Sequence, residues 1–126
     1  FDLAANSNSL FCQGHFFDGT NVIFSGTAQP IANGVEALQV LYGEATEVLP
    51  LDAERNVSRY VNADQVLNWE QVFAIKIAVM TRSISDVTNS VSLKQYAMLD
   101  AGPYNFNDAV NRQIFTSTFA ISNFQD

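Results

Sequence analysis

The chain of 126 residues predicts a mainly β fold of the α+β class, organised as an antiparallel sheet. Three observations carry this. The segments Val35 to Tyr42, Phe73 to Arg82 and Arg112 to Ser122 alternate their side chains with the period of two that marks a strand. The stretches between them are loops and not long helices, so the crossovers that parallel pairing requires are missing. The length, with ten Phe residues, suits one hydrophobic core, and a single domain spanning residues 1–126 is expected.

The elements follow in order. Asn6 to Thr20 is rich in Asn, Ser and Gly and reads as loop around a short strand near Leu10 to Gln13, with a second short strand at Asn21 to Ser25. Val35 to Tyr42 is bounded by Asn33-Gly34 and Gly43, and places Leu38, Val40 and Tyr42 on one face of a half-buried strand. Glu44 to Val61, which includes Pro50 and many of the acidic residues, reads as an exposed excursion ending in an extended piece near Ser58 to Val61. Asn62 supplies N-cap chemistry for a short helix running through Trp69 to Val72.

Phe73 to Arg82 sets Phe73, Ile75, Ile77, Val79 and Thr81 against Ala74, Lys76, Ala78, Met80 and Arg82, the pattern of a central strand crowded with β-branched residues on one face. Ser83 to Asn111, with Gly102-Pro103 and polar runs, reads mostly as loop with an edge strand at Ser92 to Met98. Arg112 to Ser122 closes the sheet. No internal repeat or low-complexity linker is present.

A formal charge of −7 with few Lys and Arg leaves no basic stripe for nucleic acid or anionic lipid. The most apolar run, Val72 to Met80, is interrupted by Lys76 and falls well short of the roughly 20 residues that span a bilayer. The chain begins at Phe1 without a charged segment and apolar core, so any anchor or targeting signal is expected upstream. Cys12 is the single cysteine; it is either a buried thiol, a free thiol, or bonded to a cysteine outside the chain.

Candidate chemistry is sparse. Cys12, His15 and Asp18 have the residue types of nucleophile, base and orienting acid, but a buried thiol beside a surface imidazole is the expected arrangement. Asn105, Asn107 and Asp108 could offer oxygens to calcium, yet they lack the spacing of a calcium loop, and a solvated turn is expected. Glu44, Glu47, Asp52 and Glu54 are expected to be solvated and near their ordinary pKa values. Phosphate-binding and nucleophile-elbow motifs are missing, so no catalytic, cofactor or metal residue is assigned. Trp69, Phe73 and Phe115 are expected in the core.

Three segments in order resemble landmarks of the PilW-type minor pilins of bacterial type IV pili: GVEALQVLYG at Gly34 to Gly43, NWEQVFAIKIAVMTRS at Asn68 to Ser83, and RQIFTSTFAISN at Arg112 to Asn123. FCQG at Phe11 to Gly14 is similar to a segment that precedes them. Phe11 stands there in place of an acidic residue and no second cysteine follows, so the family's disulfide is in question. The stretch from Gly14 to Gly34 is shorter than the family's, and Ser122 stands where the family often has Arg.

The resemblance implies a pilin-like sheet domain that lacks, in this fragment, the N-terminal hydrophobic helix of a prepilin. It implies residence in the inner membrane and periplasm before assembly, then at the extracellular pilus tip. The expected partners are other minor pilins, the major pilin and a large tip adhesin, with contacts at Glu44 to Tyr60 and Asp100 to Asn111. The alternatives are a J-type pseudopilin of a type II secretion pseudopilus and, from another class, a small secreted ligand-binding or adhesin domain. An enzyme built on Cys12 and His15 is the remaining one.

Overall fold

The computed structural model describes residues 2–3, 8–45, 56–83 and 90–121. Among these the strands are β1 Asp2–Leu3, β2 Ser9–Phe17, β3 Val22–Asn33, β4 Val35–Glu44, β5 Arg59–Val61, β6 Val72–Arg82, β7 Ser92–Met98, β8 Ala101–Asp108 and β9 Arg112–Ala120. They form three antiparallel sheets ordered β1-β2-β3, β5-β4-β6-β9 and β7-β8. The expected mainly β architecture holds.

The helical part does not. Two 3-10 turns, Ala63–Gln65 and Trp69–Gln71, replace the short helix, and Asn62 makes no side-chain cap. Asn68 interrupts the run instead: its Oδ1 accepts the Glu70 N–H at 2.9 Å, which starts a fresh turn. Two other expectations are corrected in the same direction. The loop around Leu10 is a nine-residue strand, and Asp100 to Asn111 is largely β8. Each gained its order from pairing with a neighbouring strand, which local composition does not report.

The described chain divides into two compact units. The first comprises Phe1–Ala37, Met80–Gln95 and Asn105–Gln113. Its buried residues include Val35, Met80 and Val110, with Ser9 and Arg112 as polar members. The β2–β3 hairpin pairs Ser9 with Asn33 at its base and Phe17 with Val22 at its tip, with register shifts at Leu10/Phe11 and Cys12/Gly14. Ser9 Oγ donates to Asn33 Oδ1 at 3.0 Å, and Val35 N–H donates to the Asn8 carbonyl at 3.0 Å. Gly34 follows with φ +75°, and a Cβ there would lie 2.8 Å from the Arg82 carbonyl oxygen, so only glycine fits.

The second unit comprises Leu38–Val79, Tyr96–Tyr104 and Ile114–Asp126. Leu41, Ala45, Val61, Val72, Ala74, Ala78 and Met98 are buried in it. The small residues of β6 are therefore the inward ones, while Phe73, Ile75, Ile77 and Val79 are half-buried. In β4, likewise, Leu41 is buried and the expected face of Leu38, Val40 and Tyr42 is half-buried.

Close approach explains the inversion. A Cβ on Gly43 would sit 2.9 Å from the Tyr60 ring and 3.1 Å from Ala74 Cβ, so large residues have no room there. Lys76, on the same face, lies with Nζ 4.0 Å from the Tyr60 ring centroid.

Candidate interaction surface

The structure places the sequence-flagged groups on the β2–β3 hairpin, on β8 and at the end of β4. Cys12 is exposed on β2, not buried as expected, because the strand segment carrying it is solvated on both faces: every residue from Cys12 to Asn21 is exposed. His15 lies on the same strand and Asp18 in the turn beyond it. Asp18 accepts the N–H groups of Asn21 at 2.7 Å and Thr20 at 2.9 Å, bonds that hold its carboxyl below the ordinary carboxylate value. These bonds orient the hairpin turn.

Asn105 and Asn107 fall on one side of β8 and Asp108 on the other, so the three do not converge. Asn105 Oδ1 accepts from Gln95 Nε2 at 3.2 Å. Among the described residues no group of three or more His, Cys, Asp and Glu is arranged to hold a metal ion.

Glu44 is the clearest correction. Expected in solvent, it is 1% exposed. Its Oε2 accepts from Arg59 Nη2 at 2.7 Å and Nε at 3.1 Å, and its Oε1 accepts the N–H groups of Asn68 at 2.7 Å and Leu67 at 2.9 Å. The Arg59 bonds, followed by these backbone donors, hold the carboxyl below its ordinary value despite burial. One side chain thus ties β4, β5 and the segment of the 3-10 turns together. Glu47, Asp52 and Glu54 lie outside the described residues.

In the first unit Arg112 plays the matching part. Its side chain is 1% exposed and forks onto Asp108, Nη1 to Oδ1 at 2.9 Å and Nη2 to Oδ2 at 2.7 Å. It also donates to Glu36, from Nη2 at 3.0 Å and from Nε, while Phe106 lies under it with the ring centroid 3.5 Å from Cζ. The fork onto Asp108 holds that carboxyl at about 2, and Asp108 and then Glu36 raise the Arg112 value. An open cleft of about 360 Å³ beside it is lined by Thr81, Arg82, Ser83, Asn111, Arg112 and Gln113. Because Arg112 spends its donors on carboxylates, the cleft gains no anion site from it.

Both units also carry large apolar side chains into solvent. In the first unit the hairpin exposes Phe16, Phe17, Ile23 and Ile31, with Phe17 at 67%. In the second, the segment held by Glu44 exposes Leu67 and Trp69, and β9 exposes Phe115 and Phe119. Trp69 is 53% exposed and meets Tyr42 edge-on, with ring centroids 4.9 Å apart, while Phe115 is 56% exposed and Phe73 half-buried. The expectation of core positions is corrected for all three, and for Phe73 the reason is the one given for β6, where Ala74 and Ala78 face inward.

Large apolar side chains exposed in groups mark candidate interaction surfaces. The family model for the type IV pilus-assembly protein W matches residues 2–123. The chain belongs to the PilW family.

No curated protein and no solved structure matches it. The landmark segments of this PilW protein are β4, the second 3-10 turn with β6, and β9, so the resemblance rests on the β5-β4-β6-β9 sheet. The match also takes in β1, β2 and β3, beyond those segments. Among the described residues no helix is long and apolar enough to cross a membrane.

The residues that the sequence reading missed are Glu36, Arg59 and Arg112. A usable signal existed for Arg112, a lone charge at the head of an uncharged strand and four residues after Asp108.

Proposed function

We propose that this PilW protein is a non-enzymatic minor pilin whose β domain docks beside other minor pilins in a pilus-tip complex that primes type IV pilus assembly. Membership of a pilus-assembly family supports a role among pilus components. The observation that carries the docking role is the solvated aromatic pair Phe16 and Phe17 at the end of a hairpin whose β2 strand is exposed from Cys12 onward. A hairpin is marginal in water by itself, and a partner that covers those rings stabilises it.

The residues form one domain behind an N-terminal hydrophobic helix that holds the subunit in the inner membrane until assembly and then in the pilus. The helix supplies the polymerising contact, and the β domain supplies side contacts with minor pilins, the major pilin and a tip adhesin. The work done is binding and templating.

Co-purification with the minor pilins encoded beside it, followed by sizing, tests the reading. A stoichiometric complex that is weakened at least tenfold by Phe17→Ser, with an unchanged fold by circular dichroism, is the expected result. A chain that stays alone with every neighbouring minor pilin overturns it.

A further inference from the structure

Sheet edges offer unpaired backbone groups, and proteins blunt them with Pro, charge or shortness. Among the described residues five of the six edges carry such a device. β1 has two residues, β3 contains Pro30, β5 has three residues including Arg59, β7 contains Lys94 and β8 contains Pro103. β9 carries its one charge at Arg112, whose side chain is buried; from Gln113 to Ala120 there is no charge and no proline, and every residue from Phe115 to Ala120 is exposed.

The sequence of that stretch is a palindrome, Phe115-Thr116-Ser117-Thr118-Phe119. An antiparallel strand related by a two-fold axis through Ser117 meets it with identical residue types. Phe115 faces Phe119 of the second copy, Thr116 faces Thr118, and Ser117 faces itself. Aromatic pairs on one face and Thr–Thr pairs on the other are favourable cross-strand neighbours. Ile121 donates its N–H to the Phe73 carbonyl at 2.8 Å, so odd positions of β9 point their backbone groups at β6. Even positions, Thr116 and Thr118 among them, then turn theirs outward, which makes Ser117 the centre of a closely spaced, non-hydrogen-bonded pair.

We infer that β9 is a self-recognition edge, on which a second copy of this chain pairs its own β9 antiparallel about Ser117. Charge favours the same occupant and place. Two chains of net charge −7 repel over most of their surfaces, and this uncharged edge lets copies meet without opposing carboxylates. One strand pair buries less than the roughly 1,200 Å² of a standard stable interface, so the dimer is weak and reversible, with a dissociation constant on the order of 100 µM.

Sedimentation velocity on the 126-residue chain from about 10 µM to about 1 mM brackets that affinity. The wild type is expected to shift from monomer to dimer. Ser117→Lys, which places two like charges face to face on exposed positions, is expected to keep the circular dichroism spectrum and raise the dissociation constant at least tenfold. In a Cys12→Ser background, Ser117→Cys is expected to oxidise to a covalent dimer, while the same background with Leu67→Cys does not. A wild type that is monomeric throughout overturns the inference, as does a dimer that survives Ser117→Lys. Loss of co-purifying minor pilins in Ser117→Lys, with a wild type monomeric alone, overturns it in favour of a strand from another subunit.

Discussion

Arg112 grips Asp108 across the turn between β8 and β9 through two hydrogen bonds of 2.9 and 2.7 Å, while the same guanidinium reaches Glu36 at the start of β4. Arg112→Met leaves two carboxylates facing each other and is expected to cost about 3 kcal/mol, at the lower end for a buried pair because both acids keep some solvent. Arg112→Lys keeps the charge without the fork and recovers only part of that. Urea unfolding measures both.

Acid should undo the same cluster. Asp108 titrates at about 2 in the folded chain against an ordinary value of 3.8, so its contribution is fully present above about pH 4 and is lost as pH falls through the folded value. Glu44, whose value is also lowered, adds to the slope in the same sense. Thermal melts at closely spaced pH should show stability falling between about pH 4 and pH 2, and Asp108→Asn should flatten that slope while lowering the plateau. An unchanged slope in the variant would remove Asp108 from the account.

Glu44 offers a test with its own optical readout, because Trp69 is the single tryptophan and sits one residue beyond the backbone groups that Glu44 holds. Glu44→Gln discharges the Arg59 bonds and turns one acceptor into a donor facing two N–H groups. The melting temperature is expected to drop by roughly 5–10 °C. Acrylamide quenching of Trp69 should rise well before global unfolding, and a parallel loss of both signals would contradict the anchoring role.

Gly34 and Gly19 form a matched pair. Both have positive φ, +75° and +93°, but a Cβ meets the Arg82 carbonyl only at Gly34 and nothing within 4 Å at Gly19. Gly19→Ala should therefore carry only the left-handed backbone cost of about 1–2 kcal/mol. Gly34→Ala should cost clearly more, since the added methyl displaces the strand next to it. Equal destabilisation of the two would show that the clash relaxes freely.

The strands with strong alternation, β4, β6 and β9, were legible in the sequence because period two is a property of the strand itself. β8 and the length of β2 were not, since Pro103, Gly102 and the polar run around Asn105 are weak formers recruited by pairing with a neighbour. Phe73 of β6 is half-buried and not core for a related reason. Hydrophobicity ranks Ile75 and Ile77 above Ala74 and Ala78, but close approach by Tyr60 and its neighbours requires the small side chains inward. Of the site, the acidic and aromatic residues were visible, and their pairing was not. Glu44 meets Leu67 and Asn68 across more than twenty residues, a relation with no local trace.

The β2–β3 hairpin joins Ser9 to Asn33 at its base and ends on Phe16 and Phe17, and antiparallel strands shorten in pairs. Removing two residues from each side withdraws those rings by roughly 7 Å and leaves the base as it is. The hairpin is in effect a ruler. A longer stretch between Gly14 and Gly34 would set the tip farther out on an unchanged foundation, so the reach of the hairpin can change without any renegotiation of the core.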